Sequence, residues 1–179
     1  MSTPPEFSRT VRVDTLGGQP RELSIGATEE ERAALARRFG LIGIDRLSAE
    51  ASVKRSGEEV RADGSLSAAV VQSCVATGEP VPAEVNEDFS IVFRPHPEGM
   101  SEEEEIELSE GELDVVFYDG SAVDLGEAVA ETLSLSLNPY PRAPVAEEAL
   151  REAGVKTEEE HKAETSPFAA LAALKDKLK

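Results

Sequence analysis

The chain has 179 residues, enough for one domain with tails, and its single cysteine excludes an internal disulfide framework. Aromatics are only 4% and tryptophan is absent, so a core must be built from small aliphatic side chains; no apolar run could span a bilayer and the opening MSTPPEFSRT lacks an export signal, which predicts a cytoplasmic protein without a membrane anchor. The net charge of −18 arises wholly beyond residue 61: residues 1–61 hold ten Lys and Arg against ten Asp and Glu, and residues 62–179 hold eight against twenty-six, which excludes the second part as a phosphate-binding surface.

Residues 7–14 alternate Phe7, Val11 and Val13 with Ser8, Thr10 and Arg12, the period of a half-buried strand, and residues 20–25 are placed to pair back after the turn at Gly17 and Gly18. Thr28 and Glu31 form a capping box ahead of a helix that ends on Arg37, Arg38 and Gly40 and turns Leu35 and Phe39 inward. Over residues 46–54 the alternation is complete, with Leu47, Ala49, Ala51 and Val53 on one side and Arg46, Ser48, Glu50, Ser52 and Lys54 on the other. After Ser56 and Gly57 the same period runs through Val60, Ala62, Leu66, Ala68 and Val70, and again through Val81, Ala83, Val85, Phe89, Ile91 and Phe93. These read as antiparallel strands with one wet face. Residues 95–111 lack periodicity and read as an acidic loop, followed by a short strand over 113–118.

Asp124 and Glu127 have the spacing of a second capping box. The helix they open carries Leu125, Val129, Leu133 and Leu137 on one face, broadened by Ala128 and Leu135, and stops near Leu137 because Asn138 precedes Pro139. These elements predict an α+β domain over residues 1–144, its antiparallel sheet able to curl into a partly closed barrel beside two packed helices. Residues 145–165 read as a flexible polar arm with room for a short helix at 146–153. Residues 166–179 read as a short amphipathic helix capped by Ser166 and Pro167, with Phe168, Leu171, Leu174 and Leu178 on one side. That stripe must be buried, either by folding back on its own domain or by entering a groove on a partner.

Four stretches carry a resemblance: VDLGEAVAETLSLSLNPYPRAP (123–144), PFAALAALK (167–175), EFSRTVRVDTL (6–16) and VVQSCVATGEPVP (70–82). In this order and spacing they resemble the YceD-like family of large ribosomal RNA subunit accumulation proteins in its alphaproteobacterial form. The resemblance implies a non-enzymatic bacterial factor supporting the synthesis, processing or stability of large-subunit ribosomal RNA. Many members of that family carry a C-x-x-C pair where this chain has Cys74 followed by Val75, Ala76 and Thr77, and further cysteines after the late helix that are missing here. Their metal-like features therefore do not transfer.

Residue chemistry gives no catalytic, cofactor or metal site. His96 and His161 have no ligand-like neighbours in sequence, and Cys74 has no adjacent base. Two classes of function remain. In the first, large-subunit ribosomal proteins or assembly factors bind the acidic part, with Glu102, Glu103, Glu104 and Glu105 as its densest run and Phe168, Leu171, Leu174 and Leu178 as apolar anchors. Ribosomal RNA is then reached indirectly, or through Arg12, Arg46, Lys54 and Arg61 on the wet side of their strands. In the second, carboxylate pairs such as Asp119 and Asp124 hold Mg²⁺ in a hydrolase or nuclease acting on RNA.

Overall fold

In the computed structural model, which describes residues 5–96, 115–119, 121–155 and 161, the chain enters as β1 (Thr10–Arg12), turns through a 3-10 segment (Val13–Thr15) and continues into β2 (Arg21–Gly26) and α1 (Glu29–Phe39). Three long strands follow, β3 (Gly43–Ser56), β4 (Glu59–Ser73) and β5 (Pro80–Pro95), and then β6 (Val115–Tyr118), β7 (Ala122–Asp124), α2 (Leu125–Ser136) and α3 (Ala146–Glu152). The strands form a five-stranded sheet in the order β2-β3-β4-β5-β6 and a separate ribbon of β1 with β7. The fold is mixed α+β, and its pairing is antiparallel except between β5 and β6.

The alternation in the long strands does what its period requires. Leu47, Ala49, Ala51 and Val53 on β3, Val60, Ala62, Leu66, Ala68 and Val70 on β4, and Phe89, Ile91 and Phe93 on β5 are all buried. They share one core with Leu35 of α1, Leu125, Val129 and Leu133 of α2, and Phe7, Val11 and Val13 beside the ribbon. α1 packs on β3, α2 packs on β4 and β5, and the opposite face of the sheet is left to polar side chains. Gly64 occupies an inward position where a Cβ would stand 2.2 Å from Glu50 O and 2.9 Å from Phe89 Cζ. The sheet closes over that glycine because no side chain is there.

Several expectations need correction. β1 pairs with β7 and not with β2, because the 3-10 turn carries the chain away and Gly17 O instead accepts from Arg55 N–H (2.9 Å). Among the described residues β2 and β6 do not pair, so the sheet is open and forms no barrel. The parallel β5–β6 pair departs from an all-antiparallel sheet: parallel neighbours need a crossover of a dozen residues or more, and residues 96–114 provide that length. Leu135 is 88% exposed, on the same side of α2 as Glu131 and Ser134, and takes no part in the apolar face assigned to it. Ala143 and Ala146 lie against Cys74 in a small packed cluster.

Ion pairs tie the two helices to the N-terminal segment. Arg9 grips Glu31 of α1 with both terminal nitrogens (2.7 and 2.9 Å) and also donates to Gly26 O. Arg38 grips Glu127 of α2 in the same way (2.7 and 3.0 Å) and reaches Glu6. Glu127 therefore does not close the second capping box. Thr28 and Glu31 do form the first one, where Glu31 also accepts from Thr28 N–H. The Arg9 hydrogen bond is the main reason that the Glu31 carboxyl is pulled from 4.5 down to about 2. A carboxyl lowered in this way contributes stability that is fully present above about pH 4.5 and lost as pH falls through about 2, and solvent screening of the pair holds that contribution to about 1 kcal/mol. Glu31→Gln should accordingly lower the melting temperature at pH 7 and flatten its decline between pH 4.5 and 2. A parallel decline for both proteins in an acid titration would show the pair to be energetically idle.

Candidate functional surface

The outer sheet face is laid out by the pairing register. Across β3, β4 and β5 it presents rows Ser48–Ser67–Asn86, Glu50–Ser65–Asp88 and Ser52–Asp63–Ser90, flanked by Lys54–Arg61–Val92 at one end and Arg46–Ala69–Glu84 at the other. Of the four cations singled out in the sequence, Lys54 and Arg61 are cross-strand neighbours, Arg46 lies eight residues along β3 from Lys54, and Arg12 is on the other sheet. At about 3.3 Å per residue Arg46 and Lys54 are roughly 26 Å apart. They do not make one patch.

Carboxylates of the same surfaces engage most of these cations. Arg12 pairs with Asp14 (2.5 Å), Arg46 with Glu84 (2.8 Å) and Arg61 with Asp63 (2.9 Å). Each pair is largely exposed and adds little stability, but it cancels the charge a phosphate backbone would need. Single-stranded RNA also asks for aromatic faces to stack on. The aromatic residues of β5, Phe89 and Phe93, point into the core, and Phe117 of β6 is stacked against His96 (ring centroids 5.3 Å apart).

The carboxylates of the Mg²⁺ reading are engaged as well. Asp124 Oδ1 accepts from the backbone N–H groups of Arg9 (2.8 Å), Gly126 (3.0 Å) and Glu127 (3.2 Å), and Oδ2 accepts from the Ser8 hydroxyl (2.5 Å). Asp119 Oδ1 accepts from both the N–H and the hydroxyl of Ser121. Among the described residues no group of three or more His, Cys, Asp or Glu side chains is placed to hold a metal ion. His161 is exposed.

Cys74 follows β4, buried against Ala143 and Ala146. Its Sγ accepts from Ala143 N–H (3.3 Å), and this bond, with Thr77, draws the thiol down to about 7. No local pattern points to this bond, since the donor is sixty-nine residues away. Burial keeps the sulfur from solvent, so the site holds the 139–146 segment against the sheet end.

At that end lies a cleft of about 510 Å³, lined by the apolar Phe39 at the end of α1, Leu41 after it, Val75 after β4, and Leu135, Leu137 and Pro139 at the end of α2, with the polar Gln72, Ser73, Ser134 and Asn138 between them. Leu135 is 88% exposed and Val75 55%, and Ile42 (55%) and Tyr140 (72%) continue the apolar surface beside it in sequence. Sequence reasoning missed this cleft because its lining comes from three distant segments.

Glu102, Glu103, Glu104 and Glu105, and likewise Phe168, Leu171, Leu174 and Leu178, lie outside the described residues. No helix among the described residues is long and apolar enough to cross a membrane. A family model described as large ribosomal RNA subunit accumulation protein YceD matches residues 62–175, well over half of the chain. No curated protein and no solved structure matches it.

Proposed function

Since the chain belongs to the YceD family of large ribosomal RNA subunit accumulation proteins, we propose that it supports large-subunit ribosomal RNA in the cytoplasm as a non-enzymatic factor that binds basic large-subunit ribosomal proteins or assembly partners through acidic surface. The observation that carries this reading is the distribution of charge. Half of the ten cations of the first part, Arg9, Arg12, Arg38, Arg46 and Arg61, are matched by carboxylates within the fold, whereas the second part holds eight Lys and Arg against twenty-six Asp and Glu. A field of one sign attracts the basic tails of ribosomal proteins at long range and repels phosphate. RNA is then reached through the bound protein. The reading as a Mg²⁺-dependent carboxylate hydrolase or nuclease gains nothing from Asp119 and Asp124, whose oxygens serve local turns and a helix start.

Two measurements test this. Affinity purification from cells should recover large-subunit proteins equally with and without nuclease; loss of every ribosomal protein after nuclease would mean that RNA is the direct contact. Replacing Glu102, Glu103, Glu104 and Glu105 by Gln removes four charges at nearly constant size, so folding should be unchanged. Association with ribosomal proteins should slow several-fold at low salt and converge with wild type at high salt. Identical association rates across the salt series would leave the run no role in binding.

A further inference from the structure

The cleft at the end of α2 presents apolar surface that an occupant would cover, because Leu135 and Val75 stand open on it and Ile42 and Tyr140 extend the exposed apolar surface beside it. We infer that this occupant is the chain's own C-terminal segment, residues 166–179, with Phe168, Leu171, Leu174 and Leu178 as the buried stripe. The chain leaves the domain at the rim of the cleft: Val75 N–H donates to Pro141 O (2.9 Å), Ala143 N–H donates to Cys74 Sγ (3.3 Å), and Ala146 is buried behind them. From Val155 to Phe168 the backbone can reach as far as about 45 Å, a length that allows the stripe to arrive at the cleft.

Tethering also decides between this segment and a partner. A linker this short holds the segment at an effective concentration of about millimolar, far above that of a typical partner helix in trans. Charge acts in the same direction. The segment carries Lys175, Lys177 and Lys179 against Asp176, in a protein of net charge −18, and α2 presents Glu131 one turn before Leu135.

The test compares the full chain with a chain ending at Thr165, each with and without Leu135→Ala, by thermal unfolding and by amide hydrogen exchange. Leu135 lies on the surface, so its truncation should shift the melting temperature of the shortened chain by less than about a degree. In the full chain it should lower it by several degrees, and Phe168→Ala with Leu171→Ala should do the same. Amides of residues 72–76 and 134–138 should exchange at least about tenfold more slowly in the full chain than in the shortened one.

Equal exchange in the two chains, or a silent Leu135→Ala in both, overturns the inference. Protection that rises with protein concentration would assign the cleft to a second copy. Variants silent in the free protein that nevertheless lose recovery of ribosomal proteins would assign it to a partner. The inference does not depend on the acidic-surface reading, since the Glu-to-Gln variant should leave this exchange pattern intact.

Discussion

Val53→Asp should leave little folded protein at room temperature. Val53 is 1% exposed on the inner sheet face near the end of β3, where it is flanked by Arg21 on β2 and Ala62 on β4 in the pairing register. The substitution gives up a buried valine, about 1.5–3 kcal/mol, and in addition places a carboxylate on the inner face, where its cross-strand neighbour Arg21 is itself exposed on the edge strand and no cation among the described residues is buried. Leaving a buried charge unpaired adds about 3–5 kcal/mol, so the total approaches the 5–15 kcal/mol that stabilises a typical domain. Circular dichroism and a melting curve decide the matter. Ile91→Asp, on β5 and 7% exposed, should be severe for the same reason. Lys54→Asp, one residue along on the exposed side, should shift the midpoint by a degree or two. Equal behaviour of the Val53 and Lys54 variants would mean that the two faces of β3 are wrongly assigned.

The contrast between neighbours shows which part of the fold the sequence carries. A period of two over residues 46–54 names the buried set without reference to any other strand, and so do the matching runs on β4 and β5. The capping box at Thr28 and the left-handed Gly40 after α1 are equally local. Pairing partners are not local. Nothing in residues 7–25 distinguishes a β1–β2 hairpin from the observed β1–β7 ribbon, because that choice rests on Asp124, over one hundred residues away, collecting donors from Ser8 and Arg9. The parallel β5–β6 pair was hidden in the same way, since a short strand after a long connection reads alike in either direction.

The candidate surface divides along the same line. That Arg46, Lys54 and Arg61 stand on the wet face follows from the strand period, and the structure puts them there. What the period cannot reveal is that Glu84 and Asp63 lie against two of them, which leaves Arg46 and Arg61 in ion pairs and no longer available as bare cations. Leu135 was misassigned because helical spacing reports direction and not extent. It points to the side of α2 that the sheet no longer covers, and it is the more exposed of the two large apolar side chains, Leu135 and Val75, that stand open in the cleft.

Asp124→Ala should be the most damaging change at a polar position, and Asp124→Asn the instructive control. The carboxylate caps α2 through Gly126 N–H and Glu127 N–H, and it holds the N-terminal segment through Arg9 N–H and the Ser8 hydroxyl. The segment can pass this close only because residue 126 is glycine: a Cβ there would stand 2.6 Å from Phe7 O and 2.8 Å from Arg9 N. Losing an N-cap costs about 1 kcal/mol, and each partly buried donor left without an acceptor adds about another, giving roughly 3–4 kcal/mol for alanine. At 2–4 °C per kcal/mol for a chain of this size the midpoint should fall by about 10 °C. Asparagine keeps one oxygen in the Oδ1 position for the three backbone donors, and its amide can donate to the Ser8 oxygen. It should recover all but about 1 kcal/mol. Ser8→Ala in the Asp124→Ala background should then cost almost nothing more, because the hydroxyl has already lost its acceptor. Should the alanine and asparagine variants melt together well below wild type, the negative charge and not the acceptor geometry would be what joins β1 to α2.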